Sequence, residues 1–315
     1  MREPTLGVDL SDAMPRLAVV DAGGQVLSRV EAPAGAIGDA NAIRDAAKRA
    51  LAGVSRTLPA AGVAMPSAFD QVPPEIAAAL RDATSRDAEI VPVAAGTAAA
   101  IAEQWVGAAR GLKQLITLSI GEHVTAGVLI NGEPCLGAHG LAASVAWLAL
   151  NPVDRDDYRR FGGLQAEVAS AGVMRRFVWR IKSGDQSAVA DRVKGDFSKL
   201  TAADILQGSR AGDGVSISVT RDTAKYVGAA AANMATLFDP ETIVLGGLIA
   251  QAADVLLEPI RAECLRRLHP RHAALMHIVV STLGNDAVAM GAARAAARDG
   301  IHPIAQSPRD GGPGT

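Results

Sequence analysis

Residues 6–10 have the sequence LGVDL and residues 16–20 the sequence RLAVV, two apolar runs separated by a short polar stretch. Both runs have the length and aliphatic content of buried strands, and the DAGG turn at 21–24 predicts a further strand over 25–31. A second strand–turn–strand pattern occupies residues 117–129, again with glycine in the turn. This weak internal repeat predicts a chain built from two similar halves.

Strand and helix patterns alternate along the remaining chain, which is typical of an α/β fold with layered sheets. Apolar spacing and breakers predict helices over 40–51, 74–81, 97–106, 165–181, 202–210, 218–238, 253–268 and 287–298. Short apolar runs predict strands over 62–65, 88–91, 115–120, 124–130, 242–245 and 277–280.

The length of 315 residues suggests about two domains. A change of pattern near Leu115 separates an N-terminal lobe, residues 1–116, from a larger C-terminal lobe, residues 117–285. The helix at 286–299 completes the first lobe, and the Gly/Pro-containing segment 300–315 is predicted to be a disordered tail. A ligand is expected between the lobes, where pockets form preferentially.

Composition excludes several classes of protein. Hydrophobic residues make up 49% of the chain and aromatics 3%, so the core should be aliphatic. A net charge of -2 without a dense basic face argues against nucleic acid as a partner. Two cysteines indicate a reducing, cytoplasmic location. No apolar run reaches the roughly 18 residues of a membrane helix, so no membrane partner is expected.

Five stretches together carry a family resemblance: GVD at 7–9, GAARG at 107–111, GAHG at 137–140, DPETIVLGG at 239–247 and LGNDA at 283–287. They resemble the ROK family of repressors and sugar kinases, in a register that holds from about residue 6 to 297. The resemblance implies an actin-like ATPase (ribonuclease H-like) fold, with two lobes around a cleft, and a homodimer. Because the first strand begins at Leu6, we expect no winged-helix, DNA-reading module.

The ROK resemblance also identifies where the catalytic base should lie. The family's base is an Asp that follows a sugar-binding Asn, and these positions hold Ala95 and Ala94 in this sequence. An alanine methyl group accepts no proton, and loss of a positioned base costs about 10²- to 10⁴-fold in rate. The resemblance therefore predicts no catalysis through this position.

The positions that the resemblance assigns to sugar and zinc have changed as well. The sugar-binding Glu becomes Ser144, and the His that serves as a zinc ligand becomes Trp147. The stretch 157–164 lacks the cysteines of the family's zinc site, and thiolates are what a tight tetrahedral zinc site uses, so no structural zinc is expected. We hypothesise that Trp147 and Phe161 fill its volume by apolar packing. The pocket should also favour a less polar ligand than a hexose.

The nucleotide-binding positions, as the resemblance places them, are eroded. They are Asp9, Asp12, Gly121, Gly127, Gly246 and Gly247. Asp12 and Glu122 bring carboxylates into the two phosphate loops, where glycines normally let backbone amides approach an anion. Leu248 replaces a third glycine after the last strand of the nucleotide site.

Three functions follow from these patterns. The first is a non-catalytic pseudokinase that binds a small molecule or a protein partner, neither of which the sequence identifies. The second is a divergent sugar kinase that uses ATP and magnesium with a displaced base, drawn from Asp12, Glu122 or His123. The third is a different enzyme that uses Glu122 and His123 as an acid–base pair. Loss of base, sugar ligands, zinc ligands and loop glycines together favours the first, so an active sugar kinase is not expected.

Overall fold

The computed structural model describes residues 3–54, 58–67 and 71–297. The predicted tail 300–315, and the last residues of the predicted C-terminal helix, lie outside this part. The described strands are β1 Thr5–Asp9, β2 Arg16–Val20, β3 Val26–Glu31, β4 Ala60–Met65, β5 Glu89–Ala94, β6 Leu115–Ile120, β7 Val124–Ile130, β8 Glu133–Pro134, β9 Thr242–Gly247 and β10 His277–Val280. The described helices are α1 Ala40–Leu51, α2 Pro74–Ala83, α3 Ala95–Trp105, α4 Asp156–Phe161, α5 Gly163–Val168, α6 Ser170–Lys182, α7 Ala188–Arg192, α8 Ala202–Arg210, α9 Gly214–Phe238, α10 Leu248–Gln251, α11 Ala253–Arg267, α12 Pro270–Ala273 and α13 Ala287–Ala296.

The first sheet has the strand order β3-β2-β1-β4-β5. Strands β1 to β3 are antiparallel neighbours, whereas β1, β4 and β5 run parallel. The predicted turn before β3 forms because the Asp21 carboxylate accepts hydrogen bonds from the amides of Gly23 and Gln25. The carboxyl ends of the parallel strands share one edge, so Asp9 and Ala94 lie at that same edge.

The second sheet has the strand order β10-β9-β6-β7-β8. Strands β9 and β10 are parallel, and β7 and β8 form an antiparallel hairpin. Both turn residues of this hairpin, Asn131 and Gly132, have positive φ (55° and 85°), as expected for Asn-Gly.

The chain divides into two compact units. Of the described residues, unit 1 contains those within 3–117, 126–143 and 285–297, and unit 2 contains residues 118–125 and 144–284. Segment 126–143, which the sequence analysis assigned to the second lobe, therefore groups with unit 1. The reason is local packing, because β7 lies against the start of α3.

Unit 1 is organised around α13, which packs on β1, β4 and α3. Gly7 and Gly62 let this helix approach the sheet, because a Cβ at either would lie well inside 3.0 Å of the carbonyl oxygens of Ala289 and Ala292, respectively. The buried core is aliphatic as predicted, and Phe177 in unit 2 is the largest fully buried side chain.

The helix predicted over 165–181 is in fact two helices, α5 and α6. Ala169 adopts an extended conformation (φ −61°, ψ 162°) and interrupts the helical path between them. Among the described residues, no helix is both long enough and apolar enough to cross a membrane.

Candidate functional site

The Asp9 carboxylate lies at the carboxyl edge of the first sheet, with only 3% of the residue exposed. Its Oδ1 accepts hydrogen bonds from the Ser11 amide at 2.8 Å and the Ser11 hydroxyl at 2.6 Å. Burial raises the pKa of Asp9 above its ordinary value, although the Ser11 hydrogen bonds and the Arg16 charge oppose the shift. Asp9 is therefore already bonded within its own loop.

The carboxylate of Asp12, in the same loop, is likewise bonded to neighbouring residues of the protein. Asp12 Oδ1 accepts the Ala13 amide at 2.8 Å, and Asp12 Oδ2 pairs with Arg16 at 3.2 Å. The amides of Ser11 and Ala13, which a phosphate loop would direct at an anion, are thus used by Asp9 and Asp12. Two backbone amides of this loop are therefore bonded within the protein.

Replacing Asp9 by Asn tests the effect of burying this carboxylate. The raised pKa means that the folded state binds more protons than the unfolded state, so wild-type stability falls as pH rises above about 4 toward that pKa. Asn keeps the acceptor for Ser11 but carries no charge. Urea unfolding at several pH values should show the stability difference moving in favour of Asp9→Asn as pH rises.

The matched control is Asp45→Asn, the same change on an exposed side chain. A stability difference between Asp9→Asn and wild type that is constant from pH 4 to pH 8, to within about 0.5 kcal/mol, would contradict the burial effect.

The second predicted phosphate loop, between β6 and β7, is held in place within unit 2 by hydrogen bonds of its backbone. The Gly121 amide donates to the His123 carbonyl oxygen at 2.9 Å, and the Gly121 carbonyl accepts the Ser170 amide at 2.9 Å. The Val124 amide donates to Gln165 Oε1 at 2.9 Å. Two amides of this loop are therefore bonded within the protein.

Glu122 and His123 are both exposed at the tip of this loop. Within the described residues, no hydrogen bond or ion pair joins these two side chains. A general base is normally oriented by a hydrogen bond to a partner. The arrangement gives neither side chain such an orienting contact.

The first turn of α3 contains the predicted base position. Ala95 is 1% exposed, and neither it nor Ala94 carries a polar side-chain atom. Gly96 packs directly on β7, because a Cβ at Gly96 would lie well inside 3.0 Å of the Ala126 backbone and one at Gly127 inside 3.0 Å of the Gly96 carbonyl. Methyl groups and close backbone packing thus fill this turn.

Gly127, a predicted nucleotide residue, has a structural role in unit 1. Its amide donates to the Thr117 hydroxyl at 3.2 Å, and that hydroxyl donates to the Gly96 carbonyl at 3.1 Å. The hydroxyl group therefore links β6, β7 and the start of α3.

Gly246 and Gly247, at the end of β9, lie beside the end of β6. Gly247 has a φ of 61°, and a Cβ there would lie well inside 3.0 Å of the Ile120 carbonyl oxygen. Gly246 similarly faces Ser119, at 3.1 Å from its Oγ to the position of a Cβ. Leu248 begins α10 and packs against the buried cluster that includes Phe177. Backbone packing thus requires glycine at Gly247, whereas a Cβ at Gly246 would need only a small shift of the Ser119 side chain.

Ser144 precedes, and Trp147 ends, a single 3₁₀ turn, Val145–Trp147, of which only Val145 is buried. Trp147 is 58% exposed and Phe161 is 48% exposed. The hypothesis that Trp147 and Phe161 fill the volume of the zinc site by apolar packing is therefore wrong. The backbone of Gly162 occupies the space beside the turn, since a Cβ there would meet the Ala146 carbonyl and Trp147 Cα inside 3.0 Å.

A polar network occupies the region where the resemblance expects zinc. Glu167 is 3% exposed, and its Oε1 accepts the Tyr158 hydroxyl at 2.5 Å and Arg155 at 3.0 Å. Arg175 lies 3.4 Å from the same oxygen, and both arginines also pair with Asp157. Burial, together with the hydrogen bond to Glu167, raises the pKa of Tyr158 to about 12. We call these five residues the Glu167 network.

The Glu167 network does not fit a metal ion. Its two carboxylates are held by arginine guanidinium groups, and it contains no thiolate or imidazole. In the described ranges, no three His, Cys, Asp or Glu side chains are grouped so that they could hold a metal. Sequence reasoning missed this network, although the charge-rich run DRDDYRR at 154–160 was visible.

The predicted site residues fall into the two units as follows. Unit 1 contains Asp9, Asp12, Ala94, Ala95 and Gly127, and unit 2 contains Gly121, Glu122, His123, Ser144, Trp147, Gly246 and Gly247. Within unit 1, the sheet edge groups Asp9 with Ala94. Within unit 2, β6 and β9 are neighbouring strands, which brings Gly121 close to Gly246 and Gly247.

The two mixed sheets and the groups at their strand ends define an α/β protein of the actin-like, sugar-kinase type. The chain belongs to the ROK family, whose model matches residues 5–299.

Its relatives include both kinases and repressors. It is 31% identical over 198 residues to a glucokinase of Halalkalibacterium halodurans, covering 61% of this chain and 59% of the relative. It is 27% identical over 164 residues to the N-acetylglucosamine repressor of Escherichia coli, covering 52% of this chain and 39% of the repressor. The chain thus matches less than two thirds of the length of these relatives.

A solved structure confirms the fold over a longer stretch. The ROK family glucokinase from Streptomyces griseus, in complex with glucose and AMPPNP, superposes with a TM-score of 0.77 at 23% identity. The match covers 93% of this chain and 99% of that one.

Proposed function

We propose that this chain is a non-catalytic ROK protein, a pseudokinase that acts by binding a small molecule or a protein partner. The observation that carries the proposal is the first turn of α3, where Ala94 and Ala95 present only methyl groups. The family resemblance puts the base that removes the sugar hydroxyl proton at Ala95, and no polar side chain replaces it at that position.

The hydrogen bonding of both loops supports the proposal. Asp9 and Asp12 use the amides of Ser11 and Ala13, and the loop after β6 uses those of Gly121 and Val124. An ATP phosphate would have to displace these bonds and then meet the charge of Asp12. We therefore propose that magnesium ATP is not a cofactor of this chain.

We also propose that the chain uses no structural zinc and that the Glu167 network stabilises the segment instead. The arginines already neutralise Asp157 and Glu167, so a cation would have to displace them. A homodimer and a cytoplasmic location stay predictions, from the resemblance and from the cysteine content respectively.

A thermal-shift matrix tests the proposed function, with a panel of hexoses and amino sugars, each with and without magnesium ATP. A ligand at about 100 times its Kd adds roughly 2.7 kcal/mol, which should raise Tm by about 4 °C in a chain of this size. We expect no shift that requires ATP, and no transfer of phosphate to any sugar in a coupled assay.

Two variants separate the alternatives. ATP turnover that is lost in Asp9→Ala would contradict the proposal and favour the divergent kinase. Turnover of a metabolite without ATP, lost in His123→Ala, would favour the enzyme that uses Glu122 and His123. A saturable shift with a sugar alone would agree with a binding role and identify the ligand.

A further inference from the structure

A pocket of about 260 Å³ opens at the carboxyl ends of α3 and α13, within unit 1. Its lining residues are Ile101, Gln104, Trp105, Arg110, Gly111 and Arg294. The predicted base position, Ala95, is at the opposite end of α3, ten residues before Trp105, or about 15 Å along the helix axis. The pocket is therefore separate from the candidate site described above.

The pocket wall is held in place by backbone hydrogen bonds. The Gly107 amide donates to the Glu103 carbonyl at 3.1 Å, and the Gly111 amide donates to the Gln104 carbonyl at 2.9 Å. The buried Glu103 carboxylate accepts the Ala108 amide at 2.7 Å. Gly111 itself has a φ of 79°, which favours glycine. The loop that carries Arg110 is thus preorganised.

Helix packing fixes the other side of the pocket. Gly291 of α13 lies in close contact with the backbone of Ala98 of α3. About one helical turn after Gly291, the guanidinium group of Arg294 lies over the ring of Trp105. The distance from Arg294 Cζ to the ring centroid is 5.2 Å, within the range of a cation–π contact. The stacked guanidinium group is held in one orientation, which lowers the entropy cost of binding a ligand.

The charge of the pocket indicates its ligand. Of the described residues that line it, none is acidic, and Arg110 and Arg294 supply two positive charges. Arg110 is exposed, and its guanidinium group forms no hydrogen bond or ion pair with the described residues. Two guanidinium groups match a phosphate monoester, which carries about −1.5 to −2 charge at pH 7, better than they match a carboxylate.

From this geometry we infer that the pocket between α3 and α13 binds a small phosphate monoester. Its oxygens would accept hydrogen bonds from Arg110 and Arg294, and its organic part would lie against Trp105 and Ile101. The volume is below the roughly 300–1,000 Å³ of pockets for drug-sized ligands, which restricts the ester to a small body.

Tryptophan fluorescence tests this inference on the full chain. The chain has three tryptophans, and replacing the exposed Trp147 and Trp179 by Phe leaves Trp105 as the reporter. Phenyl phosphate is the probe, and we expect a saturable change in emission. Arg110→Ala should raise the Kd about tenfold or more, since a charge-assisted hydrogen bond contributes about 1.5–3 kcal/mol.

Arg221→Ala is the matched control, because Arg221 is exposed on α9 in unit 2. This variant should bind phenyl phosphate as the parent does. No saturable change at millimolar phenyl phosphate would overturn the inference, as would equal weakening by both arginine variants. Benzoate that binds as tightly as phenyl phosphate would overturn the assignment to phosphate.

Discussion

Replacing Glu167 by Ala is expected to lower the free energy of unfolding by about 3 kcal/mol, the lower end of the range for breaking a buried ion pair. Glu167 is 3% exposed and its Oε1 accepts from Tyr158, with Arg155 and Arg175 beside it. Removing the carboxylate leaves these donors without their buried acceptor. We expect a loss of stability at the lower end of this range because the side chains of both arginines are more than a third exposed and can regain some hydration when Glu167 is removed.

The cost should extend to Arg176, a buried cation outside the Glu167 network. Arg176 donates to the Thr223 hydroxyl at 2.5 Å, but its Nε and Nη1 are buried without a protein partner among the described residues. Burial lowers the pKa of Arg176, and the charge of Glu167 acts in the opposite direction. Loss of Glu167 therefore removes the main nearby charge that compensates Arg176.

Urea unfolding of Glu167→Ala should be compared with that of Glu258→Ala. Glu258 forms an ion pair of 2.6 Å with Arg261, but its side chain is 78% exposed. Exposed pairs contribute about 0–1 kcal/mol, so this control should change stability little. Equal destabilisation by the two changes would mean that burial of the Glu167 network has no energetic consequence.

Local signals explain which elements the sequence predicted well. The bounds of α1 and α8 match the prediction at both ends, because each begins at a strong cap. The Asp39 carboxylate accepts the amides of Asn41 and Ala42, and Thr201 and Asp204 form a reciprocal capping box. In each cap, the residues that bond to one another lie within four positions along the chain, so the cap can be recognised from the sequence spacing alone.

The features that the sequence did not predict depend on contacts between distant residues. Helix α4 has no buried residue, and it is attached to the core through Tyr158 and Arg155, which reach Glu167 on α5. Likewise, the backbone of Gly162 packs against that of Ala146 and Trp147, a contact between residues about fifteen positions apart. The hydrogen bonds from Ser11 to Asp9 are local, but the resemblance identifies Asp9 only as a nucleotide residue and does not predict them.

Replacing Gly291 by Ala is expected to destabilise the protein by about 3 kcal/mol or more, the upper part of the range for overpacking. Gly291 lies in the interior of α13, where helix propensity alone would favour Ala by about 1 kcal/mol. The new Cβ, however, would lie well inside 3.0 Å of the carbonyl oxygen and carbonyl carbon of Ala98, which are backbone atoms of α3 and cannot rotate away. The two helices would have to separate, and α13 also packs on β1 and β4.

Gly214→Ala provides the matched control for the sign of this effect. Gly214 is the first residue of α9, and a Cβ there meets no atom within 4 Å, so the change should stabilise by about 0.4–1 kcal/mol. Two identical substitutions in helices should therefore shift the urea midpoint in opposite directions. If Gly291→Ala were as stable as wild type, α3 and α13 could separate freely. In that case the close approach of the helices would not fix Arg294 over Trp105, and the pocket between them would lack a rigid wall.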